Sequence, residues 1–268
     1  MNNTFDFNRF KLLIGRQWQS YKKEYFLIVG VLLAIILYFY GNELYKVINE
    51  GDIVMYNNDF RFRIPLFIIL GLLYISLTAS SYFKNYGKSN AAIAEILVPA
   101  SKLEKFIAGI FYTAGLGFVT YLLLFHIIDF GFMNYVRSYT TSTTSYMENG
   151  KEIVRDNLNF LHKVIYIDPV KYFVFLPFTI NALFLLGSIY FKNKHFIKTI
   201  VSVAVYAGLC FLLIYGIYRV FFLGHMQLED NDPSDHKDLI KFLFAALGWT
   251  ITIILWTITY VRLKEKEA

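Results

Sequence analysis

The sequence predicts an all-α membrane protein with six transmembrane helices, both ends on the cytoplasmic face (N-in/C-in) and an N-terminal interfacial amphipathic helix. Three observations predict it. Apolar residues arrive in blocks near 20 long, the length that crosses a hydrocarbon core of about 30 Å. Only 17% of the 268 residues are charged, against 56% hydrophobic and 19% aromatic, where a soluble domain carries about 25% charge. Lys and Arg also divide unevenly between the two sets of connections, and that division orients the chain.

The elements follow in order. Residues 1–24 form the interfacial segment. Phe7, Phe10, Ile14, Trp18 and Tyr21 recur at spacings of three and four, so they share one helical face, with Arg9, Arg16 and Lys23 opposite. An aromatic face beneath a basic one suits a helix lying among headgroups. A juxtamembrane anchor that only fixes topology is the plainer alternative. Residues 25–268 form the six-span domain, with spans near 25–41, 64–83, 106–128, 170–191, 197–219 and 239–261. The first apolar block follows 24 polar or amphipathic residues, so no cleavable signal peptide is expected. Pro65 falls in the first turn of the second span, where proline is tolerated. Ser76 and Ser80 offer a small-x-x-x-small contact.

The connection 84–105 is the most informative loop. A short helix over 90–97 is expected to end before Pro99, because the residue preceding a proline disfavours helical dihedrals. Ser101 and Glu104 then have the spacing of a capping box, which gives the third span a fixed start. The third connection, 129–168, is the largest external element. Its Asn149-Gly150 is a hairpin-turn signal, Asp168-Pro169 suits a helix start, and Pro177 predicts a kink in the fourth span. The last external loop is acidic (Glu229, Asp230, Asp232, Asp235, Asp238) and reads as a solvated run, with a weak divalent-cation site as the sharper alternative.

On this layout one side holds fifteen Lys and Arg against six Asp and Glu, and the other side the remaining eleven against fourteen. The basic side faces the cytoplasm. The net charge of +6 therefore reflects topology and anionic lipid rather than nucleic acid, since the bases are spread over short loops.

Motifs for chemistry are wanting. Gly87-Lys88-Ser89 resembles the end of a phosphate-binding loop, but position 82 is tyrosine where that motif needs glycine. The five histidines show no metal-ligand spacing, His126 and Asp129 suit a polar contact at the interface, and Cys210 is a lone packing residue. Over 25–41, 65–83, 106–125, 172–191, 199–218 and 242–261 there is no Asp, Glu, Lys, Arg or His, whereas ion-coupled carriers and intramembrane enzymes place such groups at mid-bilayer. No catalytic residue, bound cofactor or metal is expected, and any work done by the protein would draw its energy from a partner.

The interfacial helix, the six N-in/C-in spans and the string Leu97-Val98-Pro99-Ala100-Ser101-Lys102-Leu103-Glu104-Lys105 together resemble the permease subunit of a bacterial ABC transporter of the type-2 (exporter) class. Such permeases often read Leu-Pro-x-Ser-x-x-Glu here, and Val98 stands where leucine is usual. The resemblance implies a multi-pass protein of the bacterial inner membrane, paired with a second permease copy or paralogue. It implies a separate cytoplasmic ABC ATPase that carries the ATP and Mg, with coupling through Glu95, Leu97, Pro99, Ser101 and Glu104. It further implies an apolar or lipid-like cargo, contact with membrane lipids and no nucleic acid. A non-transport sensor, assembly or immunity protein is the alternative.

Overall fold

The computed structural model describes residues 5–50, 60–87, 89–139, 143–148, 151–156, 158–161, 170–221 and 237–267. Their regular structure is helical apart from one hairpin. Helix α1 is Phe7–Glu50, α2 Arg63–Tyr82, and α3 Ser89–Ile96 after a 3-10 turn at Lys84–Gly87. Helices α4 (Lys102–Ile110) and α5 (Gly117–Tyr139) are joined without a break through a π-helical turn at Phe111–Leu116. Strands β1 (Thr143–Glu148) and β2 (Lys151–Asp156) follow, then α6 (Phe175–Tyr190), α7 (His195–Phe221) and α8 (Lys237–Lys266).

Among the described residues four helices are long and apolar enough to cross a membrane, over 7–49, 63–82, 102–138 and 241–266. Helix α6 has 16 residues, roughly 24 Å at the α-helical rise, and a 3-10 turn at Val170–Phe173 precedes it. Pro177 therefore does not kink a helix interior, as the sequence suggested. The helix starts at Phe175, so Pro177 lies in the first turn, where its missing N–H leaves no bond unmade. Pro65 occupies the same place in α2.

The interfacial helix is likewise not a separate element. Residues 7–50 form one helix of 44 residues, about 66 Å long. Its buried positions, Leu13, Tyr21, Tyr25, Leu32, Ile36, Tyr40 and Val47, make one stripe along nearly the whole length, with the spacing of a single face. Tyr21, Tyr25 and Tyr40 are core residues, while Tyr38 and Phe39 are exposed.

Tyrosine hydroxyls fasten this core. Tyr21 donates to the Thr78 carbonyl at 3.0 Å, Tyr25 to Thr120 Oγ1 at 2.6 Å and Tyr112 to the Ile14 carbonyl at 2.8 Å. Tyr121 donates to the Phe67 carbonyl. Tyrosine suits these helix interfaces because its ring packs as an apolar body while its hydroxyl finds a carbonyl. Tyr112 lies on the π-helical turn and stacks on Trp18 with centroids 6.0 Å apart. Nothing in the sequence marked that turn.

A second core joins α2, α6 and α8 through Ala79, Phe83, Leu185, Ile189 and Leu263. Thr179 on α6 meets Thr252 on α8 at 2.7 Å. On α6, Asn181 is fully buried with neither amide atom hydrogen-bonded.

The hairpin adds β-structure to the all-α expectation. Its antiparallel register sets Thr143 opposite Asp156 and Glu148 opposite Lys151, which leaves Asn149-Gly150 as the two-residue link between strands. That link, Asp168-Pro169, Lys88 and the acidic stretch over 229–235 lie outside the described residues.

At the end of the bundle remote from α3, Arg63 and Asp129 form a buried ion pair at 3.2 Å. Tyr40 donates to Asp129 Oδ1 at 3.0 Å, the Leu161 N–H to Oδ2 at 3.0 Å, and Arg63 donates to the carbonyls of Phe60 and Asn159. The sequence suggested His126 as the neighbour of Asp129. His126 Nδ1 instead lies 2.8 Å from the Leu122 carbonyl, one turn back on its own helix, because Asp129 points into the bundle toward α1 and α2.

Candidate functional site

The best-built polar assembly among the described residues lies where α3 meets α4. Helix α3 ends at Ile96, the chain turns through Leu97–Ala100, and α4 starts on Ser101. The capping box is complete: the Glu104 N–H donates to Ser101 Oγ at 3.2 Å, and the Ser101 N–H donates to Glu104 Oε2 at 2.9 Å. Two N–H groups that a helix start leaves unpaired are thereby satisfied.

Glu104 does more than cap. Its side chain is 0% exposed, and Arg9 reaches it from α1 with Nε 2.9 Å from Oε2 and Nη2 2.6 Å from Oε1. The Asp6 N–H adds a bond to Oε1 at 2.9 Å. Desolvation pushes the carboxyl up, and the Arg9 guanidinium with the Asp6 and Ser101 N–H donors outweighs it, holding the pKa down at about 2. A buried carboxylate persists as an anion only with such a set of donors. The same contact raises the Arg9 pKa.

Lys105, the next residue, points the other way. Its ammonium is buried, 2.8 Å from Glu267 Oε1 at the end of α8 and 2.9 Å from the Glu95 carbonyl of α3. Tyr86 donates to the same Glu267 oxygen at 2.9 Å. Burial, followed by the Glu267 charge and hydrogen bond, drives the Tyr86 pKa well above its ordinary value. Lys102 Nζ adds a bond to the Lys264 carbonyl at 3.2 Å. Consecutive residues of the first turn of α4 thus grip α1 on one side and α8 on the other.

Not every predicted site residue joins this grip. Ser101 and Glu104 are its centre. Glu95 takes part through its carbonyl, while Leu97 and Pro99 face outward, Leu97 with 72% exposure. Val98, standing where leucine is usual in the resembled motif, is buried with Leu13 and Ala108, at a contact between α1 and α4 that suits a compact side chain. Ile93 and Ile96 are exposed like Leu97, and the spacing of the three gives α3 one apolar face turned away from the protein.

The predicted interfacial face divides as well. Phe10 and Ile14 pack against the Leu13–Val98–Ala108 cluster, Trp18 stacks on Tyr112 and Tyr21 is buried, while Phe7 is exposed. The face meets α4 and the π-helical turn rather than a lipid surface. Arg16, read as a headgroup contact, donates to the Ala94 carbonyl of α3 at 3.2 Å.

The partners Arg9 and Glu267 were not legible in the sequence. One signal was available: a lysine in the first turn of a helix opposes the macrodipole, so a buried Lys105 needs an acid from elsewhere. Gly87 also gains a reason. A Cβ there would lie 2.6 Å from the Lys192 carbonyl, so the glycine admits the link between α6 and α7, in which Lys194 takes φ 52°. The α3–α4 turn is thus tied to α1 through Arg9–Glu104 and to α8 through Lys105–Glu267. Among the described residues no group of three His, Cys, Asp or Glu side chains stands ready for a metal. Comparison with protein-family models, curated proteins and solved structures finds no match for this chain.

Proposed function

We propose that this chain is the membrane-spanning permease subunit of an ABC-type exporter, with six spans, both ends cytoplasmic, in a bacterial cytoplasmic membrane. One observation carries the reading. Helix α3 and the residue after it present Ile93, Ile96 and Leu97 outward, while the turn behind is fixed to α1 by a half-buried ion pair and to α8 by a buried one. A small apolar face held by its rear at two distant helices is suited to receive force from a docked partner. That partner would be a separate ATPase carrying ATP and Mg, and a second permease copy would complete the pair. The absence of acidic, basic and histidine side chains from the span interiors fits an energy source outside the membrane. An apolar or lipid-like cargo fits the same interiors.

Affinity purification in mild detergent tests the reading. Wild type recovers a stoichiometric ATPase, and Leu97→Asp, which places a charge on the exposed face, abolishes its recovery while leaving the chain folded. Isolation of the chain alone, with no hydrolytic activity in the eluate, overturns the proposal. That result favours a membrane sensor, assembly or immunity protein.

A further inference from the structure

Between α2, α5 and the start of α6 lies a cavity of about 380 Å³. Its walls include Ile68, Leu72, Leu122, Phe173, Leu176 and Pro177. One polar group borders it, the Tyr121 hydroxyl, and that hydroxyl is committed to the Phe67 carbonyl. Gly71 contributes to the space: a Cβ there would lie 2.8 Å from Tyr121 Cε1, so the close approach of α2 and α5 sets the tyrosine ring as a wall.

We propose that this cavity binds one acyl chain of a membrane phospholipid. Water does not suit it, because a cavity without donors or acceptors stays dry. Left empty, every wall would forgo its dispersion contacts. Its lip consists of residues turned away from the protein: Ile68, Phe173 and Val174 are all exposed. Two of its walls, α2 and α5, belong to helices long and apolar enough to cross a bilayer, so the medium at the lip is lipid hydrocarbon. Size agrees as well. An apolar cavity of about 150 Å³ holds a six-carbon benzene ring, and by proportion this one takes on the order of a dozen carbons. That is one chain and not two. The inference stands apart from the exporter reading, since lipid retention needs no ATPase.

The test uses the full chain purified in mild detergent from membranes supplied with a phospholipid bearing a diazirine on its acyl tail. Native mass spectrometry is expected to show one phospholipid retained per chain after extensive washing. Irradiation is expected to label Leu72, Leu122 or Leu176 in preference to Leu123 and Ile127, which face outward on α5. Leu72→Trp and Leu122→Trp each fill the cavity and are expected to lower retention about tenfold without lowering the thermal midpoint. The photolabelling of wild type keeps the proposal testable should either variant fold poorly. Equal retention by both filled variants, label confined to the outward face, or unlabelled walls in wild type, as when the cavity is covered by the chain itself or a second copy, would each overturn it.

Discussion

The two ends of the helical body both bury ion pairs and use them differently. At the far end, Arg63 and Asp129 sit beneath Tyr40, Phe60 and Phe132, with the Asn159 carbonyl and Leu161 N–H completing the shell. Among the described residues these bonds draw α1, α2, α5 and the 158–161 segment together. At the α3 end, Glu104 and Lys105 face opposite ways and tie a short turn to two different helices, leaving an apolar face outside. The far end closes the bundle, whereas the α3 end leaves it connected. A buried ion pair is a poor source of net stability against an apolar replacement, but each of these pairs selects which helices meet.

That contrast can be broken most sharply at the far end. Asp129→Ala removes the carboxylate that pairs with the buried Arg63 guanidinium and is expected to cost about 3–5 kcal/mol, read as a lowered thermal midpoint in detergent. Arg63→Met with Asp129→Leu removes both charges and is expected to recover most of the loss. A double variant as unstable as the single one would mean that the pair is needed for more than mutual neutralisation.

Next in size is Glu104. Its folded pKa of about 2 lies below the ordinary 4.5, so its stabilisation is fully present above pH 4.5 and disappears as the pH falls toward 2. The difference corresponds to about 3 kcal/mol. Glu104→Gln keeps the shape of the cap and loses the charge, for an expected cost of about 2 kcal/mol. The variant should also flatten the acid limb of a pH-stability curve between those values, and an unchanged limb would show that Arg9 does not hold the carboxylate.

Gly87→Ala should be smaller, about 1 kcal/mol, because the new methyl meets the Lys192 carbonyl and the 3-10 turn must shift. Its signature is loss of stability without loss of the Glu104 acid response. Smallest of all is Leu97→Ser, within about 0.5 kcal/mol of wild type, since the side chain touches little of the protein. If the α3 end works by being contacted, this near-silent change should still weaken recovery of a bound ATPase. A large drop in thermal midpoint would show instead that Leu97 is covered within the chain itself.

Much of the architecture was legible because it is local. Block length and charge gave the apolar helices, Pro99 gave the end of α3, and the Ser101–Glu104 spacing gave a cap that needs only four consecutive residues. The Asn149-Gly150 signal pointed to a hairpin through the same short-range geometry. The errors arose where a helical face had to choose its neighbour. Periodicity showed that Phe10, Ile14, Trp18 and Tyr21 share a face, but a protein surface and a lipid surface ask for the same residues, so the pattern could not tell α4 from a bilayer. Arg9 and Arg16 were assigned to headgroups by the same ambiguity.

What the sequence determined by itself is a chain of long apolar helices, because hydrocarbon solvation acts on each segment alone. Which charges meet was decided only by the tertiary structure. Arg9 and Glu104 are 95 residues apart, Lys105 and Glu267 162, and Arg63 and Asp129 66. Once buried, each charge must find a partner, and only the packing of whole helices determines which one lies within reach.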